Sequence, residues 1–135
     1  MTDIVLDTNV LISGMINAFG PPGRIVDLMR EGELQLVVDD RILAEYADVL
    51  MRPKFSRYFK ASEARDIISF LEHNSRYIVS TVRISRLPDP DDIAFLHAAI
   101  SADVPLITGN RPDFSTDQFP LAKIYTPAQF LEIIG

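Results

Sequence analysis

Residues 4–12 read Ile4-Val5-Leu6-Asp7-Thr8-Asn9-Val10-Leu11-Ile12. Three large aliphatic side chains in succession suit a short strand buried on both faces, and Asp7 stands where that strand would end. The same pattern recurs further along. The segment 34–38, rich in Leu and Val, runs into Asp39 and Asp40, and Leu106-Ile107 runs into Thr108 and then Asn110. Polar residues that directly follow buried parallel strands are the informative ones, because ligands of open parallel sheets bind beyond the carboxyl ends of the strands.

Helical stretches separate these strands. After the turn of Val10, Leu11 and Ile12, Pro21-Pro22-Gly23 is a break. Ile25, Leu28 and Met29 then recur at helical spacing over 24–30, and Gly32 closes the segment. Asp39 and Asp40 stand where an N-cap belongs and open a helix to about Arg52, stopped by Pro53. Ser62 reads as the cap of a helix with Ala64, Ile67, Ile68 and Leu71 on one face, and 77–82 reads as a weaker strand. Asp89-Pro90-Asp91-Asp92 is a cap followed by proline at the first helical position, with a helix to about Ala102. Ile124-Tyr125 is a last strand, and Pro127 opens a last helix through Ile134. Strands alternating with helices, several apolar on both faces, predict an α/β protein with a parallel sheet sandwiched by helices, in one domain over 1–135.

The 135 residues are 47% hydrophobic, enough for a real core, and contain no cysteine. That excludes a disulfide scaffold and a cysteine metal knot, and makes a reducing, cytoplasmic setting the default. No apolar run approaches the length of a membrane span. Met1-Thr2-Asp3 opens without the positive and long apolar segments of a secretory signal. The balance of 19 acids against 13 bases, a net charge of −6, argues against a binder that holds nucleic acid through a basic groove.

Two helices can be tested by rotation at about 100° per residue. In the helix from Asp40 the apolar stripe is Ile42, Leu43, Tyr46, Val49 and Leu50, with Glu45 on its edge. In the helix from Pro90 the stripe is Phe95, Leu96, Ala99 and Ile100; Asp92 falls within about 20° of its centre and Asp91 well off it. A carboxylate on an apolar face costs several kcal/mol unless it is paired or coordinates a metal. Asp7, Glu45 and Asp92 therefore converge from three elements as an oxygen-only ligand set. Hard donors without histidine or cysteine suit Mg²⁺ or Mn²⁺ rather than zinc.

These residues resemble a known family. Leu6-Asp7-Thr8-Asn9-Val10-Leu11-Ile12 resembles the opening motif of PIN-domain nucleases. Asp92-Ile93-Ala94-Phe95-Leu96-His97-Ala98-Ala99, Leu106-Ile107-Thr108-Gly109-Asn110 and Asp113-Phe114 resemble its closing block. Glu45, within Leu43-Ala44-Glu45-Tyr46, matches the second acidic position. Arg52-Pro53-Lys54-Phe55 and Pro88-Asp89-Pro90-Asp91-Asp92 are most similar to the VapC-like toxins of toxin–antitoxin pairs.

The resemblance implies a three-layer α/β/α sandwich with a five-stranded parallel sheet. It also implies a metal-dependent endoribonuclease that cleaves single-stranded RNA, the toxin of a type II toxin–antitoxin pair. Asp7, Glu45, Asp92 and Asp113 would be its catalytic, metal-binding acids, holding one or two ions. Many members carry aspartate where this chain has Asn110, so a second ion would be held weakly or by Asp113. The likeness further implies a homodimer and a cognate antitoxin laid across the active-site groove.

Thr8 and Thr108 are candidates for orienting ligands, water or substrate. Arg24, Arg52, Lys54 and Arg111 are candidates for phosphate contact. The basic stretch Arg52, Lys54, Arg57, Lys60 and Arg65 is interleaved with Phe55, Tyr58 and Phe59, which either stack on bases or belong to the core. Asp7 and Asp92 have a competing reading as helix-start carboxylates. His73 and His97 read as surface residues. The rival function is a catalytically weak or inactive PIN-like module that binds RNA or a protein. An aspartyl-phosphate phosphotransferase ranks lower, because it needs aspartate where Asn9 stands. If four of the 19 acids are cation ligands, the remaining surplus over 13 bases shrinks to two, so acidity excludes a basic groove but not a metal-dependent nuclease.

Overall fold

Strand β1 (Thr2–Leu6) disappears into the molecule as it proceeds, from an exposed Thr2 to fully buried Ile4, Val5 and Leu6. The computed structural model describes residues 1–79, 90–109 and 122–135, with backbone alone for 90–92. Four further strands, β2 (Leu34–Val38), β3 (Arg76–Tyr77), β4 (Leu106–Ile107) and β5 (Ile124–Tyr125), complete a sheet of order β3-β2-β1-β4-β5. Every pairing in it is parallel. The predicted fold class, α/β with a five-stranded parallel sheet, is the one observed.

The helices among the described residues are α1 (Thr8–Ile16), α2 (Pro21–Arg30), α3 (Asp40–Leu50), α4 (Ala61–Asn74), α5 (Pro90–Ala102) and α6 (Pro127–Ile134). The chain steps from β1 to β2 to β3 in one direction and then returns to β4 beyond β1. Right-handed crossovers therefore place α1 to α4 on one face and α5 on the other, giving the three layers. Packing agrees: α5 lies along β1, β2 and β4, whereas α2 contacts α1, α6 and β2. Six consecutive residues of α5, from Ala94 to Ala99, are buried, so this helix is enclosed on more than one side.

Several boundaries differ from the sequence reading. The segment after Asp7 is a full helix, α1, where the apolar pattern shows a turn and a helix enters only through the competing reading of Asp7 as its start. Its apolar residues are contiguous, with Ser13 and Gly14 behind them, so it lacks a helical period to read. Pro21 and Pro22 form the first turn of α2 and do not break the chain, since proline loses nothing where N–H groups are unpaired anyway. Helix α3 stops at Leu50, and Pro53 begins a 3-10 turn, Pro53–Phe55. Helix α4 is capped at Lys60, not Ser62; Glu63 accepts the Lys60 N–H at 3.3 Å. The β3 ladder is shorter than 77–82, and the 80–82 part of that expectation lies outside the described residues.

Other signals coincide with the structure. Asp39 caps α3, accepting the Ile42 N–H at 2.9 Å while Arg41 pairs with its second oxygen at 2.8 Å. Gly32 adopts φ +82° at the end of α2, with Gly32 N–H on Met29 and Glu33 N–H on Leu28, the hydrogen-bond pair of a Schellman cap. Thr126 and Gln129 cap α6 reciprocally, at 3.2 and 2.9 Å.

Helices α1 and α2 meet at Gly14. A Cβ there would lie 2.5 Å from Val26 Cγ2 and 2.6 Å from the Pro22 carbonyl oxygen. Backbone cannot give way as a flexible side chain can, so Gly14→Ala is expected to destabilise the fold by about 1–3 kcal/mol. A shift in the urea unfolding midpoint at unchanged m-value measures it.

Candidate functional site

The strand order reverses between β1 and β4, and open parallel sheets bind their ligands beyond the carboxyl ends of the strands at such a reversal. In the register, Leu6 lies beside Ile107, so the next residues, Asp7 and Thr108, emerge side by side although 101 positions apart. The Asp7 N–H donates to the Ile107 carbonyl at 3.0 Å, which extends the pairing one step past the strands.

Asp7 occupies the N-cap position of α1, but its side chain makes no capping bond. Its backbone carbonyl accepts from Val10 and Leu11, whereas its carboxylate accepts the Thr108 hydroxyl at 2.7 Å. The helix-cap reading of Asp7 is thus overturned. Asp7 is 3% exposed and Thr108 fully buried, so the carboxylate is held inside the molecule at the switch point. A buried carboxylate is strongly disfavoured unless hydrogen bonds or cations replace its water.

The residue after Asp7 reaches the second acid. Thr8, 4% exposed, donates its hydroxyl to Glu45 Oε2 at 2.5 Å, joining the start of α1 to the middle of α3. Glu45 is half-buried, consistent with the stripe-edge position expected for it. Next along α3, Tyr46 is 1% exposed and donates its hydroxyl to the Leu6 carbonyl. Its ring lies tilted against Phe95 of α5, with centroids 6.1 Å apart. Sequence reading placed Tyr46 among core residues and assigned it nothing more. The available signal was its polar tip: a buried tyrosine must find a hydroxyl partner.

The structure therefore brings Asp7, Thr8, Glu45 and Thr108 into two hydrogen-bonded pairs on adjoining elements. Asp92 belongs to the first turn of α5, and its side chain lies outside the described residues; so do Asn110, Arg111 and Asp113. Among the described residues no group of three or more His, Asp or Glu side chains could by itself hold a metal ion. Asp7 and Glu45 offer only hard oxygen donors, a chemistry that fits Mg²⁺ or Mn²⁺.

The basic candidates are dispersed. Arg24 is exposed in the first turn of α2. Arg52 pairs with Asp48 at 3.0 Å, and the Lys54 ammonium lies 5.1 Å from the Phe55 ring centroid. Phe59 is buried and stacks on Phe55, so these two aromatics belong to the core, whereas Tyr58 is half exposed beside Arg57. His97 corrects its sequence reading. It is 8% exposed, because α5 is enclosed beyond its apolar stripe, whereas His73 is at the surface.

Burial, then the charges of Asp7, Glu45 and Asp39, push the Tyr46 phenol well above its ordinary range, partly opposed by the bond to Leu6. The folded value thus exceeds the unfolded one. Its stabilising contribution is intact below about pH 10 and is lost as pH rises beyond that. Spectrophotometric titration is expected to show one late tyrosinate phase coincident with alkaline unfolding, absent from Tyr46→Phe.

Residues 3–112 match the PIN domain family. An uncharacterized protein of Methanocaldococcus jannaschii is 30% identical over 138 residues, covering 96% of this chain and 89% of its own. The structure of VapBC-1 from nontypeable Haemophilus influenzae superimposes with a TM-score of 0.62 at 18% identity, covering 94% of this chain and 99% of that one. VapBC2 from Rickettsia felis, bound to a DNA fragment from their promoter, gives 0.59 at 13% identity, covering 93% and 98%. A domain of a functionally unknown Methanocaldococcus jannaschii protein gives 0.54 at 16% identity, covering 93% and 91%. At such identities the structural likeness is one of fold.

Proposed function

The chain belongs to the PIN domain family, and on that premise we propose that it is a Mg²⁺- or Mn²⁺-dependent endoribonuclease acting on single-stranded RNA. The observation that carries the reading is the Asp7 carboxylate. It stands at a helix start without capping it, and is instead held by a buried threonine across the strand-order reversal. A carboxylate kept there serves local stability less well than a capping one. Its placement suits a ligand beyond the strand ends.

Asp7 and Glu45 would hold the cation, with Asp92 and Asp113 completing the acidic set and Asn110 as a neutral auxiliary. A bound divalent ion supplies Lewis acidity toward the phosphodiester and eases deprotonation of the attacking water. The chain's own residues do the positioning. Thr108 orients Asp7 and Thr8 orients Glu45, each through a hydroxyl that adds no competing charge. Arg24, Lys54 and Arg111 are assigned to phosphate contact, with Arg52 available once it leaves Asp48.

The fold shared with two VapBC structures supports a toxin role and a cognate antitoxin partner, and a homodimer is proposed with it. Among the described residues no helix is long and apolar enough to cross a membrane.

Asp7→Asn preserves shape while removing the charge. It is expected to lower metal-dependent cleavage of a single-stranded RNA at least about 100-fold, with the urea midpoint retained. Thr108→Val is expected to cost about 10–100-fold, as loss of a partner that orients a ligand does. Cleavage by Asp7→Asn at the wild-type rate overturns the site. Cleavage-negative protein with no Mn²⁺ affinity by calorimetry favours the rival reading, a PIN-like module that only binds RNA or a protein.

A further inference from the structure

We propose that Tyr46 is a positioning residue for this site: its hydroxyl, by holding the Leu6 carbonyl, sets the spacing between Asp7 and Glu45. The inference rests on the proposed role of those two acids as cation ligands, and it concerns a residue outside that ligand set.

The argument begins with the backbone. Alternation along β1 turns the Val5 and Asp7 N–H groups toward β4, where they donate to Pro105 and Ile107. The Leu6 carbonyl therefore faces the other side, toward β2, beyond the last paired rung of Ile4 with Leu36. The Tyr46 hydroxyl meets it there. Leu6 immediately precedes Asp7, and Tyr46 immediately follows Glu45. The bond thus joins the two acid-bearing elements one residue from each acid. The Thr8–Glu45 bond ties α1 to α3 from the other side of Asp7. Asp7 is bracketed by two cross-links to α3.

The ring adds a third element. Tyr46 packs on Phe95, three residues beyond Asp92 in α5. One side chain therefore touches β1, which leads to Asp7, springs from α3, which carries Glu45, and abuts α5, which carries Asp92. Packing alone does not require the hydroxyl, since phenylalanine would fill the same space. The hydroxyl's function is the bond to Leu6. Loss of that bond frees the end of β1 to shift relative to α3, and ligands held loosely bind a cation less well.

Tyr46→Phe tests this against a control variant, Ile67→Val, which trims the core of α4 away from the site. Four quantities are measured on each full-length protein: Mn²⁺ affinity by calorimetry, kcat and KM on single-stranded RNA, urea midpoint, and amide hydrogen exchange. Tyr46→Phe is expected to weaken Mn²⁺ binding and lower kcat by about 10-fold, with KM little changed and exchange faster at residues 7–11. Ile67→Val is expected to change only the midpoint. Mn²⁺ affinity and kcat within twofold of wild type in Tyr46→Phe overturn the inference while leaving the nuclease reading intact. Equal losses in Ile67→Val also overturn it, because they reduce the effect to general destabilisation. Wild-type protein that neither binds Mn²⁺ nor cleaves RNA overturns both together, and is recognised before any variant is compared.

Discussion

The parallel pairing of β1 with β4 is the constraint on which the rest depends. Two short strands from opposite ends of the chain align with Leu6 beside Ile107. Their successors, Asp7 and Thr108, are then neighbours by construction. A slip of one residue would turn Leu6 and Asp7 to the opposite faces and separate the carboxylate from its hydroxyl. Because Ile4, Val5, Leu6, Leu106 and Ile107 are all fully buried, every alternative register exposes aliphatic surface or buries charge. The hydrophobic core thereby determines the position of the polar group that follows it in the chain.

That polar group accepts the Thr108 hydroxyl, and the choice of a hydroxyl matters electrostatically. A lysine or arginine against Asp7 would stabilise the carboxylate but also neutralise it. A threonine hydroxyl orients the oxygen and leaves its charge in place. The same applies to Thr8 on Glu45. Asp39 shows the contrasting arrangement on the next strand. It has a similar position after β2, yet its two oxygens are taken by the Ile42 N–H and the Arg41 guanidinium, and it acts as a helix cap. Two aspartates that look alike after two similar strands are separated by their partners: Asp39 caps α3, whereas the Asp7 carboxylate makes no cap bond and accepts the Thr108 hydroxyl.

Tyr46 links these layers. Burial, then the charges of three nearby carboxylates, push its phenol well above the ordinary range, which favours the protonated, donating form. Its bond to Leu6 and its ring contact with Phe95 together join β1, α3 and α5. A core residue and a site residue are here one side chain, which is why the apolar pattern of α3 registered Tyr46 only as hydrophobic.

Much of this molecule is legible in its sequence alone. Strand β2, helix α5 and helix α6 begin and end where composition, proline and capping residues say they should. The parallel α/β class follows from strands apolar on both faces. The sequence singles out Asp7 because it directly follows a buried strand, and Glu45 because it sits on the edge of a clear stripe; the structure places Asp7 buried at the strand-order reversal and Glu45 half-buried on α3. Local rules failed where periodicity was absent, as in α1, or where a helix was enclosed on several sides, as His97 in α5 shows. What only tertiary structure decided is which partners each acid takes. Asp7 could have capped α1; the register of β1 against β4 sends its carboxylate to Thr108 instead. Hydrophobic pattern is a property of neighbours in sequence, whereas the pairing of Asp7 with Thr108, Thr8 with Glu45 and Tyr46 with Leu6 spans 101, 37 and 40 residues, distances over which only the packed sheet and helices carry information.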